Sequence, residues 1–368
     1  MTLKNIEILN FKNIPSAKLE FSPGVNCLVG MNGMGKSNLL DAIHLLSMAR
    51  TMATVQDADL VKHGQDLMLI KGVFSTEAGA TDTISCGMTL GKRKKIKRNG
   101  KEYAKLSEHI GHYPIVISTP DDSNIVSGSA EQRRKLMDMV ISQADQSYLT
   151  SLIRYNRALD NRNKMLRAGV KDPILYESIE NSLIENAALI HKARKEWVEA
   201  ISPILEEIYE KISGGKEKTE IKYKSALNAA GMKDVLDSHR SKDQILGYTS
   251  AGVHRDDIES SLDGHSLRAL GSQGQLKTFV VALRLAIFRY LKEQKNMTPL
   301  LLLDDIFDKL DARRVENIMK EVTNSNDFGQ IFITDTNRKH LDDILSGIAG
   351  QKTLINVNEG EFTPINLD

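Results

Sequence analysis

The sequence is poor in cysteine and contains no long apolar run. Cys27 and Cys86 are its only cysteines; they are too few for a disulfide framework, and this usage suits a reducing cytoplasm. No stretch has the roughly eighteen consecutive apolar residues of a membrane-spanning helix, and no basic region followed by an apolar run marks the N-terminus. We therefore expect a soluble, cytoplasmic protein without a membrane partner.

The chain also lacks a strong net charge and sustained heptad repeats. Lysine and arginine number 49 and aspartate and glutamate 48, which leaves a net charge of +1. Overall charge is therefore no argument for or against nucleic acid, and such an argument must rest on local patches. The absence of heptads excludes a long coiled-coil arm. The 368 residues suffice for two or three domain-sized units, or for one large domain with an insertion.

What the sequence does contain is a phosphate-binding pattern at residues 30–37. This stretch, Gly-Met-Asn-Gly-Met-Gly-Lys-Ser, fits G-x-x-x-x-G-K-[ST] at every fixed position. Residues 25–29 before it predict a short buried strand, and residues 38–48 after it predict a helix with a broad apolar face. That context favours a P-loop over a chance glycine turn, because a glycine-rich backbone and a helix N-terminus together bind an anion.

The P-loop predicts a nucleoside triphosphate site with Mg²⁺. Lys36 is expected to reach the β- and γ-phosphates, and the Ser37 hydroxyl is expected to hold the metal ion. The predicted nucleotide-binding residues of the loop are Gly30, Met31, Asn32, Gly33, Met34, Gly35, Lys36 and Ser37.

Residues 299–305, Pro-Leu-Leu-Leu-Leu-Asp-Asp, predict a fully buried parallel strand that ends in two acids. Ligands of open α/β sheets lie at the carboxyl edge of such strands, so this strand and the P-loop are expected in one sheet. Asp304 is then the outer-sphere partner of Mg²⁺, and Asp305 is placed to orient or deprotonate the attacking water. The predicted catalytic residues are Lys36, Asp304 and Asp305, and the predicted metal site is Ser37 with Asp304.

A single nucleotide-binding domain that contains both motifs must be interrupted by an insertion. We assign residues 1–118 and 296–368 to an ATPase lobe and residues 119–295 to a helical lobe. Within the helical lobe, helical periodicity extends over about residues 129–212, and Pro203 is expected to kink or restart the last helix.

Two further segments of the helical lobe are polar. Residues 249–257 show no periodicity, and a metal site formed by their histidine and aspartates is disfavoured, because consecutive side chains seldom converge on one ion. Residues 270–275 precede a strongly apolar helix, which is predicted over residues 279–291. The serine and glycine of this loop build an anion site at the helix start.

The most basic run of the chain lies at residues 92–101, with Asn99-Gly100 inside it. Asn-Gly between alternating segments predicts a β-hairpin. Its basic rim has two open interpretations: lysines that discourage edge-to-edge aggregation, or a patch that contacts DNA phosphates. The candidate DNA-binding residues are Lys92, Arg93, Lys94, Lys95, Lys97 and Arg98.

The Ser-x-Gly-Gln loop, followed by a helix and then by the acidic strand, resembles the signature loop of ABC-type ATPases. In that superfamily, the signature of one head contacts the ATP held by the P-loop of another. The resemblance implies that Ser272, Gln273 and Gly274 contact ATP in trans, so that two copies of the chain enclose two nucleotides.

The full order of motifs resembles the bacterial RecF family nearly end to end. The resemblance is carried by Phe11-Lys12-Asn13, the P-loop, Tyr155-x-x-Ala158-Leu159-x-x-Arg162-Asn163, Gly252-Val-His-Arg-Asp-Asp257, Ser272-Gln-Gly-Gln275 and Leu301-Leu-Leu-Asp-Asp305. It implies an α/β fold: an ABC-type, Rad50-like ATPase head with an antiparallel β subdomain and an inserted helical lobe, without a long coiled coil. It also adds Lys12 and Asn13 to the nucleotide-binding residues. The family usually has arginine where Lys12 stands, and lysine keeps the charge but not the bidentate fork.

The resemblance further implies an ATP-dependent DNA-binding clamp of recombinational repair. Such proteins form homodimers on ATP, bind single-strand/double-strand junctions of gapped DNA, and act with RecR and RecO to load RecA. They are weak, DNA-stimulated ATPases whose slow hydrolysis resets the clamp. The alternative is a related P-loop ATPase of an SMC-like nuclease or toxin-type system. That alternative would need a further acidic metal cluster or a toxin partner, and the sequence shows neither.

Overall fold

The computed structural model describes residues 1–52, 56–76, 79–215, 217–307, 311–324, 328–348 and 350–366. Its internal contacts divide the chain into two compact units. The first unit comprises Met1–Asp121 with Ile287–Asp368, and the second comprises Asp122–Ala286. The lobe boundaries predicted from the sequence, at 118/119 and 295/296, differ from these points by three and nine residues. Among the helices of the described residues, none combines the length and apolarity that crossing a membrane requires.

Numbered in chain order, the strands are β1 (Thr2–Phe11), β2 (Ile14–Glu20), β3 (Val25–Val29), β4 (Leu67–Ser75), β5 (Thr81–Thr89), β6 (Lys95–Arg98), β7 (Lys101–Glu102), β8 (Ile115–Ser118), β9 (Thr219–Lys224), β10 (Asp257–Leu262), β11 (His265–Ser266), β12 (Leu300–Asp304), β13 (Ile331–Asp335), β14 (Lys352–Asn358) and β15 (Glu361–Ile365). The helices are α1 (Lys36–Met48), α2 (Asn124–Ser127), α3 (Ala130–Ala144), α4 (Gln146–Arg167), α5 (Pro173–Ser213), α6 (Met232–Leu246), α7 (Leu267–Leu270), α8 (Gln273–Lys295), α9 (Ala312–Asn324) and α10 (Arg338–Ser346).

The first unit contains an antiparallel sheet with the strand order β2-β1-β4-β5-β6-β7. Alternation of buried and exposed residues along β1 and β5 is the period-two pattern of a sheet with one covered face. Pro15 lies in β2, which is an edge strand, where a residue without an N–H donor is tolerated. The predicted antiparallel β subdomain is thereby confirmed.

The second sheet of this unit has the order β15-β14-β3-β13-β12-β8. Its strands are parallel except for the terminal β14–β15 hairpin. Every residue of β3, β12 and β13 is buried, as expected for parallel strands covered on both faces. The P-loop strand β3 and the acidic strand β12 are the two neighbours of β13. The prediction that both motifs belong to one sheet is therefore confirmed.

Helix α1 lies between these two sheets. It contacts β1, β4 and β5 of the antiparallel sheet and β8, β12 and β13 of the parallel sheet. Eleven of its thirteen residues are buried, including the polar Asp41, His44 and Ser47. The helix is thus covered over more of its circumference than the single stripe that a surface helix buries. Its buried polar side chains have partners; His44 Nδ1, for example, lies 2.9 Å from the Arg50 carbonyl.

A buried glutamine joins the N-terminal strand to the parallel sheet. Gln330 is fully buried, and its side-chain oxygen accepts from the Leu3 N–H at 2.7 Å. Its amide nitrogen donates to the carbonyls of Leu3 and Ser22 at 2.9 and 2.8 Å. One side chain thus satisfies three backbone groups of another segment, which removes the penalty of burying them unpaired.

The second unit consists of helices and a small sheet with the order β11-β10-β9. Its longest element is α5, which is 41 residues long and packs along α4. The helix begins with an Asp172 cap followed by Pro173, and it ends at Gly214 with φ 81°. The helix does not restart at Pro203: it is continuous through that proline.

The unperiodic segment at residues 249–257 is a buried polar core that α4 helps to hold. Tyr155 of α4 lies 2.7 Å from His254 Nδ1, and Asn163 of the same helix accepts from both the N–H and the hydroxyl of Thr249. Burial lowers the pKa of His254 to about 4. Within the described part of the chain, no cluster of three histidine, cysteine or acidic side chains could hold a metal ion. The tyrosine motif of α4 and the histidine motif of this segment are therefore in contact with each other.

Arg194 of α5 lies at the centre of this core. It is 2 % exposed and donates to Asp256 at 2.9 Å, to Asp138 at 2.8 Å and to the Val253 carbonyl at 2.6 Å. Burial raises the pKa of Asp256, and the charge of Arg194 opposes that rise. Removing either partner would therefore leave the other as an uncompensated buried charge.

We expect Arg194→Met to lower the free energy of unfolding by about 3–5 kcal/mol, because it leaves buried acids without their cation. Denaturant unfolding of the variant measures this loss. Lys192→Met is the matched control: it lies on the same helix with an exposed side chain 3.8 Å from Glu196, and its effect should stay within about 0.5 kcal/mol. Equal effects of the two changes would contradict the assigned role of Arg194.

Candidate functional site

The P-loop connects β3 to α1 through backbone that only glycine adopts without strain. Gly35, the residue before α1, has φ 113°, and no side chain caps the helix after it. At Gly30, a Cβ atom would lie 2.2 Å from the Val357 carbonyl oxygen. The first N–H groups of α1 are therefore left without a capping side chain. They lie at the positive end of the helix dipole. This is the arrangement that binds a phosphate.

The side chain of Lys36, the first residue of α1, folds back onto the P-loop and does not extend into solvent. Its amino group donates to the carbonyls of Gly30 and Met31 at 2.7 and 3.0 Å, and the residue is only 6 % exposed. Burial lowers the pKa of Lys36, while the carboxylates of Asp305 and Asp304 oppose that shift. The loop and the acidic strand end are therefore electrostatically coupled.

Ser37 and Asp304 are brought together as predicted. The Ser37 hydroxyl donates to Asp304 Oδ1 at 3.0 Å. A hydroxyl and a carboxylate are hard oxygen ligands of the kind that Mg²⁺ prefers, and Mg²⁺ usually takes few of its ligands from protein and others from phosphate. The pair therefore fits a magnesium ion that is shared with a bound nucleotide.

Thr334 is a site residue whose role the sequence alone did not reveal. It is paired with Asp304 in the β12–β13 register, and its hydroxyl donates to Asp304 Oδ1 at 2.6 Å while accepting from the Asp305 N–H at 3.0 Å. Asp305 has φ 49°, a left-handed conformation that this hydrogen bond helps to hold. A polar residue at the end of the neighbouring buried strand was the available signal.

Lys12 and Asn13 form the turn between β1 and β2, and both are tied to the P-loop helix. The Lys12 amino group forms an ion pair with Asp41 of α1, which is nearly fully buried. The Asn13 amide donates to the Gly33 carbonyl at 3.3 Å and accepts from Asn38 at 2.7 Å. These contacts place Asn13 beside the loop. A direct contact of either residue with nucleotide stays a prediction.

The basic run forms the predicted hairpin. Strands β6 and β7 pair antiparallel around Asn99 and Gly100, whose φ angles are 51° and 81°, as a tight two-residue turn requires. Three candidate DNA-binding residues have acidic partners: Lys94 with Asp57, Lys95 with Glu102 and Arg98 with Asp82, at 2.8, 3.2 and 2.7 Å. The other three are Lys92, Arg93 and Lys97. They are exposed.

Asp82 anchors this hairpin to the sheet. Its carboxylate accepts from Arg98, from Asn99 and from the Tyr113 hydroxyl. Burial alone would raise the pKa of Asp82, but the three hydrogen bonds outweigh burial and lower it. The side chain of Arg98 is therefore held by Asp82 of the adjacent strand β5.

The signature loop differs from the prediction in where its helix begins. Helix α8 starts at Gln273, six residues before the predicted start at residue 279, so Gln273 and Gly274 belong to its first turn. The cause is a reciprocal cap. Ser272 Oγ accepts from the Gln275 N–H at 3.2 Å, and Gln275 Oε1 accepts from the Ser272 N–H at 2.7 Å. Ser272 and Gln273 are exposed.

Taken together, the two sheets around α1, the P-loop and the paired Ser37 and Asp304 define a P-loop head of the ABC/SMC type. The chain matches the RecF/RecN/SMC N-terminal domain family over residues 2–356. It is 46% identical to the DNA replication and repair protein RecF of Parabacteroides distasonis, covering 99% of this chain and all of that protein. The corresponding RecF of Porphyromonas gingivalis is 44% identical, covering 98% of this chain and all of that protein.

The solved structures agree. The recombination mediator protein RecF-ATP of the RecFOR pathway superimposes with a TM-score of 0.88 at 32% identity, covering 99% of each chain. An Smc head domain from Pyrococcus furiosus superimposes with a TM-score of 0.59 at 20% identity, covering 99% of this chain and 96% of the other, and shows the fold only. The chain belongs to the RecF family.

We expect Lys12→Met to lower the free energy of unfolding by about 2–4 kcal/mol, because it leaves the buried Asp41 carboxylate without its cation. Lys18→Met is the control, since Lys18 is 78% exposed and lies 3.6 Å from Glu7; its effect should be below about 0.5 kcal/mol. Denaturant unfolding measures both. A loss below about 1 kcal/mol for Lys12→Met would refute a structural ion pair.

Proposed function

We propose that the chain is an ATP-dependent DNA-binding clamp of recombinational repair that acts in the cytoplasm. The observation that carries the proposal is the P-loop whose Ser37 bonds to Asp304 of the neighbouring acidic strand, in a fold that matches the ATP form of RecF over 99% of both chains. The proposal is supported by family membership for the repair role, and by the geometry of the loop for the nucleotide.

The chain's own residues divide the chemistry among them. The P-loop N–H groups and Lys36 bind the β- and γ-phosphates. Mg²⁺, held by Ser37 and Asp304, would neutralise charge that develops on the phosphates. Asp305 orients or deprotonates the attacking water. Thr334 keeps Asp304 and the backbone of Asp305 in place through its two hydrogen bonds.

Dimerisation follows because the nucleotide site of one copy is completed by the signature loop of a second copy. Ser272, Gln273 and Gly274 of one copy contact the γ-phosphate held by the P-loop of a second copy. ATP then favours the dimer because only the triphosphate offers that contact. Hydrolysis removes the contact and releases the clamp, so a weak, DNA-stimulated ATPase acts as a switch.

The proposed ligand of the dimer is gapped DNA at a single-strand/double-strand junction, and the proposed partners are RecR, RecO and RecA. The support for these partners is membership of the RecF family, since the ATP form of RecF is described as a recombination mediator of the RecFOR pathway. On this chain, Lys92, Arg93 and Lys97 are the exposed cations of the hairpin that best suit phosphate contacts.

The first test uses Asp305→Asn, which we expect to bind ATP but to hydrolyse it at least about 100-fold more slowly, because the group that orients water is neutral. Sedimentation should give a dimer mass with ATP and a monomer mass with ADP. Fluorescence anisotropy of a labelled gapped duplex should show tight binding with ATP only. Lys36→Met should abolish both responses.

Two outcomes would contradict the proposal. An ATP-dependent dimer that ignores gapped DNA would refute the repair role and favour the toxin-type ATPase. A chain that stays monomeric with ATP would refute the trans contact of the signature loop.

The second test addresses the hairpin. We expect the triple change Lys92→Gln, Arg93→Gln and Lys97→Gln to weaken DNA binding and to reduce the slope of log K against log[salt] by about 0.9 for each phosphate that the variant no longer neutralises. The matched control changes Lys94 and Lys95 to glutamine, since both already pair with acids. If triple variant and control keep the same salt slope as the parent, the hairpin is a solvated edge and the DNA site lies elsewhere.

A further inference from the structure

We infer that Glu217 is a positioning residue for the signature loop, which it holds through Gln275 in the form that a second subunit can use. This inference rests on the proposed function, because it concerns the same ATP-dependent contact. All residues involved belong to the second compact unit.

Gln275 has two tasks that fix the orientation of its amide. Its oxygen accepts from the Ser272 N–H at 2.7 Å and so closes the reciprocal cap. Its nitrogen donates to Glu217 Oε1 at 2.6 Å. A carboxylate accepts hydrogen bonds and cannot donate them, so it admits only the nitrogen of that amide. Glu217 therefore selects the amide orientation in which the oxygen faces Ser272.

Glu217 is itself held from the other side. The Tyr209 hydroxyl of α5 donates to Glu217 Oε2 at 2.6 Å, and Tyr209 is fully buried. The next residue is fixed too, because the Lys218 N–H donates to Asp263 at 2.8 Å and the Asp263 N–H donates to the Lys218 carbonyl at 2.9 Å. Hydrogen bonds to a carboxylate are shorter and stronger than neutral ones. The loop is thus tied, through one half-buried acid, to the longest helix of its unit.

The consequence concerns the free energy of dimerisation. Ser272 and Gln273 are exposed while Gln275 is half-buried. The two exposed residues are therefore accessible to a second subunit, and Gln275 anchors the loop to its own unit. A loop that is ordered before association loses less conformational entropy when a second subunit binds. Glu217 acts through Gln275 and does not itself touch the nucleotide.

The experiment exchanges the two side chains. Gln275→Glu retains an acceptor for the Ser272 N–H but places a carboxylate against Glu217, and like charges at this distance repel. The double variant Gln275→Glu with Glu217→Gln restores one donor and one acceptor, since the new amide at position 217 donates to the new carboxylate at position 275 and accepts from Tyr209. The control is Glu220→Gln, because Glu220 is exposed and pairs with Lys222.

We expect Gln275→Glu to weaken ATP-dependent dimerisation by about tenfold or more, in line with the loss of a charged hydrogen bond. The double variant should return to within about threefold of the parent. Sedimentation with ATP measures the dimerisation constant. Binding of a fluorescent ATP analogue to the monomer should be unchanged in all variants. General destabilisation of the fold would weaken nucleotide binding as well as dimerisation.

Hydrogen exchange of the Ser272 and Gln275 amides gives a second readout that does not require a dimer. Exchange should be faster in Gln275→Glu and return to the parent rate in the double variant. Parent-like dimerisation and exchange in the single variant would overturn the inference, as would a double variant that restores neither. If the parent itself fails to dimerise with ATP, the proposed clamp is wrong, and the exchange rates alone decide whether Glu217 positions the loop.

Discussion

The register of two parallel strands is the constraint on which the nucleotide site depends. Because β12 and β13 pair Asp304 with Thr334, one threonine hydroxyl contacts both the carboxylate of Asp304 and the backbone of the next acid. The same sheet places β3 on the other side of β13, so that Ser37, at the start of α1, reaches that carboxylate. A slip of one residue in either pairing would turn these side chains to opposite faces of the sheet.

The two compact units are stabilised in different ways. The first buries helix α1 between two sheets, and Gln330 satisfies three backbone groups beside them. The second buries whole guanidinium groups: Arg194 pairs with Asp256 and Asp138, and Arg162 pairs with Glu180 and Asp243. Buried ion pairs add little net stability compared with apolar packing, but removing one partner is severe. Loss of either arginine would therefore leave buried acids of the helical unit without their cation.

The features that could be predicted from sequence are those whose evidence is local. The P-loop, the strand ending in Asp304 and the Asn99-Gly100 hairpin each occupy about ten neighbouring residues, and their backbone requirements are readable there. What was missed depends on partners far along the chain. Thr334 acquires its role from Asp304, and the segment at residues 249–257 from α4 and α5. The early start of α8 is the exception, because its cap joins Ser272 to Gln275, three residues apart, in the local Ser-x-x-Gln pattern of a capping box.

The arrangement of the parallel sheet also sets the order in which the protein can fold as it is made. Strand β3 pairs with residues 331–335 and 352–356, whereas the helical unit is contiguous over Asp122–Ala286. A ribosome therefore completes the helical unit while β3 still has neither neighbour. Domains fold as units during synthesis, and unpaired apolar strands are prone to aggregate. The nascent chain must keep an apolar strand unpaired through most of its translation, and its nucleotide site is the last part to form.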